Sequence, residues 1–262
     1  MIEPNKDWVL PTALGAGILL VLGGIGFYLM RGGSTEPDAV VDTPRPVVET
    51  PASPPTSTVY TPPPPTRGVP LPPLDESDPE VLGGLTELLG QDAVMRHLVP
   101  ERLVRNIVVT IDNVPRRQMA LNQRPLQATP GNFITAGEEN AIVIAPANYA
   151  RYEPFVGLVS KLDAKTVVSF YRGLEPLFQQ AYEDLGHPGA SFNTRLNEVI
   201  EHLLQTPTPR GQIALVQPGV LYKYADERLE NLSAGQKLML RMGVNNATVI
   251  KGKLREIQAE LL

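Results

Sequence analysis

Val9 to Met30 form 22 consecutive uncharged residues, VLPTALGAGILLVLGGIGFYLM, and a proline-rich stretch follows directly. As an α-helix this run spans about 33 Å, enough for a bilayer core of roughly 30 Å. It constrains the chain more than any other feature, because one segment belongs in lipid and the rest must fold outside it. Trp8 and Tyr28 stand near its ends, where amphipathic rings favour the headgroup region. Pro11 falls in the first turn, where its missing N–H costs little. A cleaved signal peptide would show a shorter apolar core, a basic leader and a small-x-small exit. Here the leader carries Glu3, Lys6 and Asp7, and the exit reads Arg31-Gly-Gly-Ser-Thr-Glu-Pro37. An uncleaved transmembrane helix over 9–30 is therefore expected, after a short tail of residues 1–8. Ala13, Gly17 and Gly24 fall near one face, where small residues permit self-association through the anchor. The flanking charges are nearly balanced, so the positive-inside rule barely discriminates between orientations. A cytoplasmic tail with the head beyond the membrane is the expected arrangement.

Between Pro37 and Pro73 lie 13 of the 27 prolines, mixed with Thr, Ser and Val. Such a segment buries too little apolar surface to offset its ordering entropy. Residues 31–73 are expected to be a disordered linker with polyproline II stretches. As a coil it would span roughly 40 Å, which keeps a head close to the bilayer yet free to search.

The remaining residues, 74–262, suffice for one domain with its own core. The spacing predicts a mainly α head with one or two small β hairpins. Ser77-Asp-Pro-Glu80 reads as a capping box opening a helix through Leu89, followed by helices over Asp92 to Leu98 and Glu101 to Asn113. Ile134-Thr135 and Ala141 to Ile144 flank Gly137-Glu-Glu-Asn as a hairpin. Asn148 reads as the cap of a helix over Tyr149 to Leu162, and Asp163 as the cap of the next. Val167, Tyr171, Leu174, Phe178, Ala181 and Leu185 then form one apolar stripe, with a kink expected near Gly173 and Pro176. Leu196, Val199, Ile200, Leu203 and Leu204 mark another amphipathic helix. Ile213 to Val216 and Val220 to Tyr224 read as strands. Ser233-Ala-Gly-Gln236 is a second capping box, whose helix ends at Gly243. The last helix turns Ile250, Leu254, Ile257 and Leu261 to one side.

The chain's formal charge is −5, which argues against general nucleic-acid binding. It has no cysteine, so thiol catalysis, thiolate zinc sites and disulfides are excluded. The absence of cysteine also permits an oxidising compartment. His97, His187 and His202 form neither an HExxH nor an HxxxH pair. Glu198 and His202 share a helix face at i, i+4 and read as a surface hydrogen-bonded pair. His187 reads as a turn residue. No GxSxG, P-loop or strand-linked GxGxxG is present. No cofactor, metal or catalytic residue is expected, and the reading leans away from an enzyme. Binding candidates are the Tyr and Arg clusters, since these residues are enriched where partners dock. They are Tyr149, Arg151 and Tyr152; Arg172; and Arg116 and Arg117 in a local arginine-rich stretch.

The segments Ala145-Pro-Ala-Asn-Tyr-Ala-Arg-Tyr152, Phe170-Tyr-Arg-Gly-Leu-Glu-Pro176, Phe192 to Pro207, and Leu221-Tyr-Lys-Tyr-Ala-Asp226 through Arg241-Met-Gly243 carry a resemblance. In order, they resemble the proteobacterial domain-of-unknown-function family 3014. That resemblance implies a Gram-negative setting and the arrangement of membrane helix, Pro-rich linker and helical domain; it implies no catalytic residue. The expectation is a single-pass inner-membrane protein with a periplasmic head, acting as an interaction or scaffolding module for an envelope protein. The alternative is a membrane-tethered hydrolase, or a binder of ligand or cell-wall polymer using Tyr, Arg and carboxylates.

Overall fold

The computed structural model describes residues 70–117, 123–127, 129, 131–138, 141–219 and 221–262. The expected tail, membrane helix and most of the linker lie outside these residues. No helix among the described residues is long and apolar enough to cross a membrane.

The head is mainly helical. A short 3-10 turn, Leu74–Glu76, leads into α1 (Asp78–Leu89), α2 (Gln91–His97) and α3 (Leu103–Asn113). The expected capping box at Ser77 does not form. The Ser77 hydroxyl donates instead to the Leu74 carbonyl at 2.7 Å, and Ser77 is already helical. Asp78 is spent elsewhere: its carboxylate accepts the backbone N–H groups of Arg102 (2.6 Å) and Leu103 (2.8 Å). It thereby satisfies orphan donors at the start of α3.

After β1 (Thr135–Ala136) and β2 (Val143–Ile144), the expected single helix from Tyr149 is two helices, α4 (Pro146–Ala150) and α5 (Glu153–Ser160). Proline explains the break. Pro146 opens α4 from Ala145, and Pro154 begins α5, where its missing N–H costs nothing but the preceding helix cannot continue through it. Asn148 consequently lies inside α4 and is not a cap.

α6 (Ala164–Asp184) is capped by Asp163, which accepts the Thr166 N–H at 2.7 Å. It runs as one helix through Gly173 and Pro176. α7 (Phe192–Leu204) begins at Ser191, earlier than its apolar stripe suggested. β3 (Leu215–Val216), β4 (Lys223–Tyr224), α8 (Glu227–Glu230), α9 (Ala234–Arg241) and α10 (Val244–Leu261) complete the chain. The Ser233/Gln236 capping box is present in full, and Gly243 sits at φ +85° between α9 and α10.

α6 is the centre of the large core, packed against α3, α7 and α10. Phe178 and Phe192 stack there at 5.7 Å, with Tyr171 and Tyr182 tilted against Phe192. Ile250, Leu254 and Ile257 of α10 are fully enclosed in the same core. Leu185, the last residue of the expected α6 stripe, is exposed.

The two hairpins pair antiparallel as β1–β2 and β3–β4. A bridge between Val143 and Ala214 joins them into a four-stranded ribbon. One side closes a second, smaller apolar cluster: Ile144, Ile213, Leu215, Tyr224 and Leu240, with Phe133, Tyr149 and Tyr222 around it.

Candidate functional site

The Tyr149 to Tyr152 segment lies where the small cluster meets the helices. Asn148 is wholly buried and acts as a hub. Its side-chain oxygen accepts the Ile134 N–H (3.2 Å) and an Arg151 guanidinium N–H (2.8 Å), and its NH2 donates to the Arg241 carbonyl (2.9 Å). Arg151 also donates to the Gly131 carbonyl at 2.8 Å, and its guanidinium lies 5.9 Å from the Tyr152 ring. The Tyr149 ring covers Gly243, where an added Cβ would come within 2.7 Å of it. Tyr152 is buried, and burial pushes its phenol above the ordinary tyrosine range. Burial pushes the Tyr224 phenol further, up to about 12, and its hydroxyl donates to the Lys237 carbonyl at 3.0 Å. These groups hold helices and sheet together; Arg151 and Tyr152 offer little free surface.

The other three arginines stand elsewhere. Arg172, on α6, donates to the Glu260 carbonyl at 2.9 Å and so serves the end of α10. Arg117 is exposed beyond α3. Arg116 pairs with Asp112, only 2% exposed, which gathers a polar seam around itself. Arg195 reaches the Asp112 carboxylate at 3.0 Å and the Asp112 carbonyl at 3.0 Å, and also pairs with Glu198 at 3.2 Å. His187 comes to 3.8 Å of Asp112 while stacking on Tyr182 at 4.4 Å. His187 is thus more than a turn residue.

His202 does not pair with Glu198 as expected. Its Nε2 is 2.7 Å from the Ser233 hydroxyl. This pair resembles a nucleophile and its base, but the surroundings do not support acyl transfer. Ser233 Oγ caps α9 by accepting the Gln236 N–H. The adjacent Ala234 and Gly235 N–H groups are taken by the Arg116 and Val114 carbonyls at 2.8 and 3.1 Å. No pair of free donors is left here to stabilise an oxyanion. Among the described residues no group of three His, Asp or Glu is placed to hold a metal ion.

The open surface lies on the other side of the ribbon. Side chains alternate across a strand, so with Ile213, Leu215, Tyr222 and Tyr224 turned inward, Ala214, Val216, Leu221 and Lys223 face out. Ala136 pairs with Val143, Val143 bridges to Ala214, and Ala225 donates its N–H to the Ala214 carbonyl, making one continuous apolar row. Ile134, Val216 (45% exposed) and Leu221 (49% exposed) extend it, and Lys223 is the one charge among these outward residues. The row ends at a cavity of about 560 Å³ between the strap Pro207–Ala214 and the stretch Asp226–Leu232. The sequence offered the strands of this surface but not their junction, because nothing local links Val143 to Ala214.

The profile of a family described as "Protein of unknown function (DUF3014)" matches residues 103–258. No curated protein and no solved structure matches the chain.

Proposed function

Because the chain belongs to the DUF3014 family of proteins of unknown function, and no activity comes with that membership, we propose a role from its surface: a membrane-tethered recognition module of the cell envelope. The observation that carries this reading is the apolar outward side of the β ribbon. A sheet covering a core on one side normally turns polar residues to water on the other. This one turns out Ile134, Ala136, Val143, Ala214, Val216, Leu221 and Ala225. Exposed apolar surface of this kind marks a place where a partner sits. The partner is an envelope protein, and tethering through residues 9–30 and the linker raises the head's effective concentration near it. The proposed setting is the inner membrane of a Gram-negative cell with the head in the periplasm. The Ser233–His202 pair, engaged in capping, gives the hydrolase alternative no support.

Photo-crosslinking groups at positions 216 and 221 of the full-length protein, in its native membrane, should capture a discrete protein. Val216→Asp or Leu221→Asp should abolish capture through the other position without unfolding the head. A head that remains folded and captures nothing from either position defeats the reading. Reporter fusions after Leu262 test the orientation separately: activity only in the cytoplasm reverses it.

A further inference from the structure

The row and the cavity at its end share Ala214, and the cavity has a chemistry that the row lacks. Its apolar surface comes from Ile213, Leu229 and Leu232, with Pro207 and Pro209 on the strap. Its volume of about 560 Å³ falls in the range of sites that enclose a small group. The rim carries two arginines, Arg210 and Arg228, and one carboxylate, Asp226. Arg210 is exposed, and no described carboxylate pairs with it. Arg228 also lies at the rim, its guanidinium against Asp226 at 3.1 Å. Lys223 adds a third exposed cation along the ribbon. These charges stand out on a chain whose net charge is −5.

We propose that this cavity receives an apolar side chain of an acidic polypeptide segment, whose carboxylates meet Arg210 and Lys223 while its backbone lies across the ribbon's outer row. The inference rests on the recognition reading and names the partner's chemistry. Charge complementarity selects an acidic partner, and the few cations exclude a nucleic-acid backbone, which needs a broad basic footprint. The segment lies over the face and does not extend the sheet at β4, where the outward Tyr224 N–H is taken by Glu230 at 2.9 Å. An extended chain over the row therefore contributes side chains, one entering beside Leu229 and Leu232.

The test uses the full-length protein in nanodiscs of zwitterionic lipid and a fluorescein-labelled peptide, Asp-Leu-Glu-Leu-Asp, with its neutral twin Asn-Leu-Gln-Leu-Asn. Fluorescence anisotropy should show the acidic peptide binding about fivefold to tenfold more tightly, as one or two partly exposed ion pairs allow. That preference should shrink as salt rises from about 0.05 M to about 0.5 M. Arg210→Glu, at an exposed position, should erase the preference, and Thr208→Trp should block both peptides. Equal binding of the two peptides, or an unchanged preference in Arg210→Glu, overturns the proposal. Neither result alters crosslinking at positions 216 and 221, so the wider reading stands or falls separately. Loss of that crosslinking with the peptide preference intact removes the wider reading and leaves this site in place.

Discussion

Asp112 shows how much a single side chain can organise. It is buried, yet its partners Arg116 and Arg195 reach toward water, with the Arg116 side chain 58% exposed. Removing the carboxylate leaves Arg195 bound only to the Asp112 carbonyl and Glu198. Breaking a buried charge pair from one side costs about 3–5 kcal/mol, but partly exposed arginines recover some solvation. Asp112→Ala should therefore lose about 2–3 kcal/mol of stability, whereas Arg116→Ala should lose under about 1 kcal/mol. Urea unfolding of the two variants checks the order; a larger loss in Arg116→Ala contradicts it. His202 gives a pH dependence. Burial first, and Arg195 second, hold its imidazole below the ordinary histidine range; burial and Arg96 do the same to His97. A lowered histidine contributes stability that is present above the unfolded value, near 6.5, and is lost as pH falls through the folded value. Stability should drop as pH falls from about 7.5 through the unfolded value near 6.5 and on toward the lower folded value. His202→Gln, which cannot protonate, should show a smaller drop in urea midpoint; an equal drop removes His202 from the account.

Elements meet here at positions where only hydrogen fits. Gly235, in the first turn of α9, faces Val114 and Leu203, and an added Cβ would stand 2.5 Å and 2.9 Å from their side chains. Its N–H also donates to the Val114 carbonyl, so α9 cannot retreat without breaking that bond. Gly235→Ala should cost about 1–3 kcal/mol, as other overpacked sites do. Gly83→Ala, with nothing within 4 Å of the added Cβ, should stabilise α1 by about 0.5–1 kcal/mol. Thermal melts of the pair read both signs. The same elements show what was legible in the sequence. Asp163 and Ser233 cap as expected because capping is decided within four residues. Ser77-x-x-Glu80 has the same pattern but fails, because a 3-10 turn precedes it and gives the hydroxyl a carbonyl to bond. Asn148 looks like a cap, but two prolines set the helix boundaries around it. The Asp112–Arg195 pair, 83 residues apart, leaves no local trace. Of the binding candidates, the cluster at 149–152 was legible as a group, but its role in joining sheet to helices depends on Arg241 and Gly131, which no spacing connects to it.

At the scale of the molecule the head has two unequal cores. Phe178, Phe192 and the inner stripe of α10 belong to the large one; the ribbon's inner side closes a much smaller one. Local opening follows the amount of apolar contact that must be broken, so the ribbon should open before the helices. Asn148 resists that opening, because one fully buried amide ties Ile134 at the ribbon's edge to Arg241 at the end of α9. Removing it strands a backbone N–H and a backbone carbonyl, each costing about 1–3 kcal/mol if left unpaired, unless the region opens to water. Opening is the cheaper response, since the small core holds few residues. In Asn148→Ala, amide exchange of Ile144, Leu215 and Tyr224 should quicken at least tenfold, which corresponds to about 1.4 kcal/mol of lost local stability. Exchange at Leu174 and Phe178 in α6 should change much less. Equal acceleration at both places would mean that the cores unfold as one unit. Slow exchange at both would mean that Asn148 is not the tie. A ribbon that loosens alone should also lose partner capture at positions 216 and 221 while the helices stay folded, because the outward row exists only while Val143 and Ala214 remain paired.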